Sequence, residues 1–149
     1  MKLTLAILLL LTTLAAAHTD PSGQFEYAPP PAWVHDAGRE TWNNSNNSGA
    51  FNVAVIKTDE SRLEAWAAKV VSTHRDRWDN VKQEDLLLGG QKAKHIRGSK
   101  AARGHTTRLD LFLCAKGKTG VVLTFVTQRG EDPAFAQVVS GVTRSFRWR

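Results

Sequence analysis

Apolar and polar positions alternate along much of the chain, and this alternation predicts a protein built largely from β-strands. The clearest strands are 50–57, 81–88, 91–97, 106–115 and 121–128, with shorter ones at 25–27, 32–34 and 39–42. In 106–115 the leucines fall on one face and Asp110, Phe112 and Cys114 on the other. Because both faces carry apolar side chains, we expect a sheet that is covered on both sides.

Two segments instead repeat their apolar side chains every three or four residues, which predicts helices. The first covers about residues 62–77, and Ser61 with Glu64 predicts a capping box at its start. The second begins at Asp132, a good N-cap residue, with Pro133 at the first helical position. A short strand over 143–149 is expected to follow it.

Hairpin-type turns such as Gly89–Gly90 join most of the predicted strands. Residues 98–104 are expected to form a small polar connection, and 43–49 a flexible polar loop. The order is hairpin, strand, helix, several antiparallel strands, helix and strand. The predicted fold class is therefore α+β, an antiparallel β-sheet flanked by helices.

Three consecutive prolines, residues 29–31, lie between Tyr27 and Trp33 in the stretch FEYAPPPAWV. Such triplets serve as docking motifs when they adopt the polyproline II conformation. Proline also stiffens the junction between two strands and removes a backbone N–H that would otherwise need a partner. We interpret the triplet as a strand junction.

The first 17 residues have the three parts of a secretory signal peptide. Lys2 is basic, residues 3–14 are largely apolar, and small alanines follow at 15–17. The apolar stretch is shorter than the ~20 residues of a membrane span, although an uncleaved anchor is the alternative. We expect cleavage after Ala17, an exported protein in the periplasm or outside the cell, a flexible N-terminus at 18–24 and a single domain at 25–149.

The net charge of the chain indicates the kind of partner that it favours, and its cysteine content indicates the state of its thiol. The chain has a formal net charge of +6, which becomes +5 when Lys2 is removed. This favours acidic partners, such as an envelope protein or another acidic surface. No nucleic-acid-binding motif appears, and we expect no transmembrane segment after cleavage. The single cysteine, Cys114, lies in an apolar run and is expected to be buried and inert.

Several motifs spread over most of the chain carry a family resemblance. They are FEYAPPPAW, FNVAVIKTDESRLEAWAAKVV, LLLGGQKAKHIRG and the F-x-x-V-V-x-x-V-x-x-S-F pattern at 135–146. In these the chain resembles the PsbP-like superfamily, including its bacterial extracytoplasmic members of the DcrB type. The resemblance implies an α/β/α sandwich around an antiparallel sheet. It also implies an accessory, stabilising or binding role rather than catalysis, and it assigns no functional residue.

A basic stretch from Gln91 to Leu109 contains no acidic residue. Its basic side chains are Lys92, Lys94, Arg97, Lys100, Arg103 and Arg108. One interpretation is a surface for anions or an acidic partner. The other is a solvated hairpin whose charges keep an exposed sheet edge from aggregating.

Histidines supply the candidate metal ligands. If cleavage follows Ala17, His18 becomes the N-terminal residue, and its amine and imidazole can chelate Cu(II). His35, His95 or His105 are candidates for a second ligand, whereas His74 is expected at the edge of the helix core. No E-x-x-H, H-x-H or cysteine cluster indicates zinc, so the sequence assigns no cofactor and leaves His18 as the candidate metal ligand.

No motif for nucleophilic catalysis is present, since neither G-x-S-x-G nor S-x-x-K occurs. Glu84 and Asp85 are adjacent acids, but neighbours in a strand point to opposite faces and do not form a catalytic pair. The sequence therefore predicts an exported, non-enzymatic accessory or binding protein of the cell envelope. The alternative is a metal- or anion-binding protein that uses the basic hairpin 91–108 or His18.

Overall fold

The computed structural model describes residues 16–149, so the predicted leader lies outside the described residues except for Ala16 and Ala17. The elements in chain order are β1 (His18–Thr19), β2 (Phe25–Tyr27), β3 (Val34–Asp36), β4 (Thr41–Asn43), β5 (Gly49–Lys57), α1 (Leu63–Arg75), β6 (Asp79–Leu88), β7 (Gln91–Ala102), β8 (His105–Lys116), β9 (Thr119–Thr127), α2 (Pro133–Ser145) and β10 (Arg147–Trp148). Neither helix of the described part is long and apolar enough to cross a membrane.

Seven strands form one sheet in the order β3-β4-β5-β9-β8-β7-β6, and every neighbouring pair in it is antiparallel. Consecutive hairpins build its β6 to β9 part, while α1 carries the chain from β5 to the β6 edge. The remaining strands form a small antiparallel sheet in the order β1-β2-β10. The predicted α+β class with a mainly antiparallel sheet is confirmed.

Two hydrophobic cores cover the two faces of the seven-stranded sheet. On one face, Leu111 and Leu113 of β8 pack with Ala67 of α1. On the other face, Phe112 and Cys114 belong to a core that includes side chains of α2 and of the small sheet. This alternation along β8 is the pattern predicted from the sequence, and it produces the helix–sheet–helix layering.

The two helices begin differently. Asp132 caps α2 as predicted, because its carboxylate accepts a hydrogen bond from the Ala134 backbone N–H at 2.9 Å. The predicted capping box at α1 does not form. Ser61 donates instead to the Asp59 carboxylate, and the Glu64 carboxylate pairs with a lysine of β7. The lysine is a charged partner for the Glu64 carboxylate, whereas the backbone N–H of a capping box is a neutral one, and a charged hydrogen bond is the stronger of the two.

Two predicted boundaries are wrong, one at the end of the strand 91–97 and one at the start of the strand 143–149. Residues 98–102, predicted as part of a polar connection, continue β7, and only Arg103 and Gly104 form the turn, both with positive φ. Residues 143–145, predicted as strand, continue α2. The reason is that Val139, Val142 and Phe146 keep the helical spacing and stay buried in one core.

Residues 18–24, predicted as a flexible N-terminus, are instead structured. His18 and Thr19 pair with β2, and Asp20 is buried. The Asp20 carboxylate accepts a hydrogen bond from the Ser22 N–H at 2.9 Å, and the backbone carbonyl of Asp20 accepts one from the Gly23 N–H at 2.7 Å. This closed turn supplies the order that composition alone did not indicate.

The proline triplet connects β2 of the small sheet with β3 of the large sheet. Pro30 is buried, its carbonyl accepts from the Trp33 N–H at 3.3 Å, and Ala32 has a φ of +62°. The triplet is therefore a stiff crossing between two sheets, which confirms the strand-junction interpretation.

Candidate metal centre and charged clusters

Two histidines and a glutamate converge where the small sheet meets the β3–β4 hairpin. His18 Nε2 lies 3.1 Å from Glu40 Oε2, and His35 Nε2 lies 3.5 Å from Glu40 Oε1. One ligand-capable atom from each residue lies within 4.8 Å of the other two, and residues 16–149 contain no other such group of three. We call these three residues the His–His–Glu cluster.

Cross-strand neighbours position both imidazole rings. His18 is paired with Tyr27 between β1 and β2, with ring centroids 5.3 Å apart. His35 is paired with Trp42 between β3 and β4, and the rings stack at 4.0 Å with an interplanar angle of 9°. The two imidazoles meet edge to face at 5.0 Å. Aromatic packing therefore holds both rings, and a hydrogen-bond contact with Glu40 also holds His18.

The glutamate is held by the backbone of the turn between β3 and β4. Glu40 has a φ of +45°, a region that residues other than glycine adopt at a cost. Its carbonyl accepts from the Val53 N–H at 3.0 Å, and the Asn52 side-chain amide donates to the Arg39 carbonyl at 2.9 Å and to Thr41 Oγ1 at 3.0 Å. Strand β5 thus fixes the turn in a conformation of the strained kind that is common at functional sites.

Neutral aromatic side chains border the cluster on its core side. Tyr27 is fully buried, and the Trp42 indole N–H donates to its hydroxyl at 3.2 Å. Burial raises the pKa of Tyr27 well above its usual value; the Trp42 hydrogen bond lowers it in part, and the nearby Glu40 carboxylate raises it further. Tyr27 is therefore uncharged at neutral pH, which leaves the carboxylate of Glu40 as the negative charge that the cluster offers.

The sequence did not indicate Glu40, although one signal was available. His35 and Glu40 flank the predicted turn at 36–38, so the hairpin places them near each other. His18, the candidate metal ligand, and His35, a candidate second ligand, do come together. His95 and His105 lie on β7 and β8, outside this cluster.

The six basic side chains of the hairpin do not form one continuous surface. Three of them pair with acids: Lys94 Nζ with Glu64 at 2.5 Å and Asp85 at 2.6 Å, Arg97 with Glu84 at 2.5 Å, and Arg108 with Asp110 at 2.7 Å. Hydrogen bonds to Asp85 and Glu64 also raise the pKa of Lys94. These three side chains are charged, but each charge is offset locally.

The other three, Lys92, Lys100 and Arg103, are exposed. Lys92 lies near the β6–β7 turn and Lys100 lies eight residues further along β7. At about 3.3 Å per residue, the two are roughly 26 Å apart along the strand. A surface for anions or an acidic partner stays a prediction, and the exposed charge available to it is divided between the two ends of the hairpin.

A second charged cluster, which sequence reasoning missed, lies on the α2 face of the sheet. Asp110 is fully buried, and its carboxylate lies 2.7 Å from His95 Nε2 and accepts from Arg108 Nε at 2.7 Å and Nη2 at 3.1 Å. Burial alone would raise the pKa of Asp110, but the hydrogen bonds from His95 and Arg108 outweigh it and hold the pKa below its usual value. The available signal was an acid at an inward position of an otherwise apolar strand.

The arrangement of His95 and Asp110 resembles half of a catalytic triad, but its contacts are structural. His95 stacks on Phe112 with ring centroids 4.2 Å apart, and Arg108 lies 5.6 Å above the ring of Phe135. Among the described residues, no serine, threonine or cysteine side chain is hydrogen-bonded to His95. The cluster lacks the nucleophile that triad chemistry requires.

The remaining candidate groups lie where the sequence predicts. Cys114 is buried, and burial raises the pKa of its thiol to about 11. His74 Nδ1 lies 2.8 Å from the Val70 carbonyl of its own helix, which satisfies it at the edge of the core. Neither side chain is therefore placed to bind a ligand.

The layering described above is similar to that of solved PsbP-like structures, so the fold implied by the resemblance is confirmed. The solution structure of cyanobacterial PsbP (CyanoP) from Synechocystis sp. PCC 6803 is similar with a TM-score of 0.63 and 11% identity, over 90% of this chain and 92% of that chain. The crystal structure of LpqN from Mycobacterium tuberculosis, a protein involved in cell envelope biogenesis, is similar with a TM-score of 0.61 and 12% identity. This match covers 83% of this chain and 82% of that chain.

A crystal structure from Bacteroides thetaiotaomicron is also similar, with a TM-score of 0.58 and 14% identity over 89% of this chain. The match covers 48% of that protein, so this chain spans about half of its length. No family model and no curated protein matches the sequence. At these identities the similarity to solved structures shows a shared fold and nothing finer.

Proposed function

We propose that this chain is an exported, non-enzymatic accessory or binding protein of the cell envelope. The observation that carries the proposal is the shared fold with LpqN, which takes part in cell envelope biogenesis. The signal-peptide pattern of residues 1–17 supports export to the periplasm or beyond. A net positive charge favours an acidic partner, either an envelope protein or another acidic surface.

The non-enzymatic part of the proposal rests on the buried acid–base pair. His95 and Asp110 are the groups that most resemble catalytic machinery, and both are engaged in holding the sheet and Arg108 together. A group that acts as a general base must reach the proton that it abstracts from a substrate. The His95 ring stacks on Phe112 and its side chain is only 15% exposed, which limits the approach of a substrate to its other nitrogen.

The experiment is complementation of a deletion strain in the native host. Loss of the gene is expected to weaken the envelope, measured as sensitivity to detergent and lysozyme. The full chain should restore resistance, whereas a chain that lacks residues 2–17 should not, although both accumulate. His95→Gln should restore resistance as well as the wild type, because a binding role does not need this imidazole.

Two outcomes would contradict the proposal. Rescue by the leaderless chain would place its role inside the cytoplasm. Failure of a folded, exported His95→Gln chain would point to catalysis, since glutamine retains a hydrogen-bonding group at this position.

The alternative function, binding of a metal or an anion, gains a specific observation only for the metal. The His–His–Glu cluster brings together ligand atoms from β1 and from the β3–β4 hairpin. The basic hairpin offers no comparable convergence, because half of its predicted residues pair with acids.

A further inference from the structure

We propose that His18, His35 and Glu40 bind one divalent transition-metal ion, which joins the small sheet to the β3–β4 hairpin. The set of two imidazoles and one carboxylate is a donor set that Zn²⁺ and similar divalent ions bind in proteins. This site is additional to the proposed envelope role, and neither conclusion requires the other.

The distances already approach those of a bound ion. With metal–ligand bonds of about 2.0–2.1 Å at tetrahedral angles, ligand atoms lie about 3.3 Å from one another. His18 Nε2 lies 3.1 Å from Glu40 Oε2 and His35 Nε2 lies 3.5 Å from Glu40 Oε1, so each imidazole approaches a different oxygen of the carboxylate. Since all three ligand atoms lie within 4.8 Å of one another, shifts of about an ångström would complete a three-ligand set.

An unsatisfied buried atom gives the cluster an independent reason to bind a cation. The Nε2 atom of His35 is shielded from solvent and has no hydrogen-bond partner among residues 16–149. Buried polar groups in native proteins are nearly always satisfied, so such an atom calls for an explanation. A metal ion bound by this nitrogen and by Glu40 would satisfy it.

The same geometry separates this site from a chelate at the chain terminus. An N-terminal histidine chelates a metal through its amine and Nδ1, since these two atoms close a six-membered ring with the ion. His18 presents Nε2 to Glu40. The proposed site is therefore made of side chains, and it does not require a free amine at His18.

The accessibility of the cluster suits ion entry. The side chains of His18 and His35 are each 24% exposed and that of Glu40 is 16% exposed. The cluster is thus partly open to solvent around the shielded Nε2 atom of His35, and water can supply a fourth ligand. The aromatic side chains of Tyr27 and Trp42 on the core side keep its environment otherwise apolar.

The test is a titration of the purified exported protein with Zn²⁺, using a chain without a polyhistidine tag that has been stripped with a chelator. Calorimetry and competition with a chromophoric chelator should show one equivalent of tight binding. Glu40→Gln and His35→Ala should each weaken it by more than about 100-fold, beyond the effect of typical outer-shell changes. His18 stays unchanged because a substitution there alters the predicted cleavage site.

The matched control is His105→Ala, which removes an exposed histidine outside the cluster and should bind Zn²⁺ as the wild type does. Circular dichroism of each apo variant checks folding, and Glu40→Gln decides the result if His35→Ala does not fold. Loss of binding in Glu40→Gln with retention in His105→Ala would support the site. Equal affinity in the wild type and Glu40→Gln, or no one-equivalent binding by the wild type, would overturn it.

Discussion

Replacement of Arg108 by methionine should expose how much the buried Asp110 cluster contributes to stability. The change removes two hydrogen bonds to a fully buried carboxylate, at 2.7 and 3.1 Å, and leaves the contact with His95 in place. Methionine keeps an unbranched side chain beside the ring of Phe135. The perturbation is therefore the loss of charge and hydrogen bonds, with little loss of packing.

The expected cost is about 3 kcal/mol. Removing one partner of a buried ion pair costs about 3–5 kcal/mol, because the other charge is left without compensation. The lower end applies here, since the Arg108 side chain is 28% exposed and water can reach part of the vacated space. The matched control is Lys100→Met, an exposed basic residue of the same hairpin, which should change stability by less than about 0.5 kcal/mol.

The assay is urea unfolding followed by tryptophan fluorescence and circular dichroism. A midpoint for Arg108→Met within the range of the Lys100→Met control would refute the argument. The pH dependence adds a check. Because the pKa of Asp110 is lowered in the folded state, its stabilisation is fully present above the unfolded pKa of about 3.9 and is lost as the pH falls through the folded value. In Arg108→Met this loss should be smaller, because removing the Arg108 hydrogen bonds brings the folded-state pKa of Asp110 closer to its unfolded value.

Three further predictions concern packing and capping. Asp132→Ala should lower stability by about 1 kcal/mol in thermal melts, since it removes the cap of α2; an unchanged melt would contradict the cap. Gly89→Ala should destabilise more than Gly90→Ala in urea, because both have positive φ but only the first brings a methyl group to 2.9 Å from Trp148; equal effects would contradict the close approach. Cys114 should react with a thiol reagent at pH 8 only after unfolding, because burial raises its pKa to about 11; fast labelling of the native protein would refute its burial.

Local patterns in the sequence were sufficient for most elements of the fold. The alternation along 106–115 correctly predicted which side chains share a face of the sheet, and the structure shows that α1 covers one face and α2 the other. Asp132 and Pro133 correctly predicted a helix start, because a cap depends on neighbouring residues alone. In contrast, the capping box predicted at the start of α1 does not form, since the partner of Glu64 is Lys94, thirty residues further along the chain.

The candidate site was harder to predict because it depends on how two sheets meet. His18 and His35 were candidates from the start, but only the pairing of β1 with β2 and of β3 with β4 brings them together at Glu40. The positive φ of Glu40 is likewise imposed by contacts with β5 and not by its own preference. Asp110 was missed for a similar reason, since its partner His95 comes from the adjacent strand β7.

The proposed role in the cell envelope depends first on export, and the mass and location of the natural protein test this most directly. A C-terminally tagged chain, produced in its native host, would be recovered from separated cytoplasmic and extracytoplasmic fractions and its intact mass measured. We expect a chain that begins at His18 and is recovered outside the cytoplasm. A chain that retains residues 1–17 and stays in the cytoplasm would contradict it.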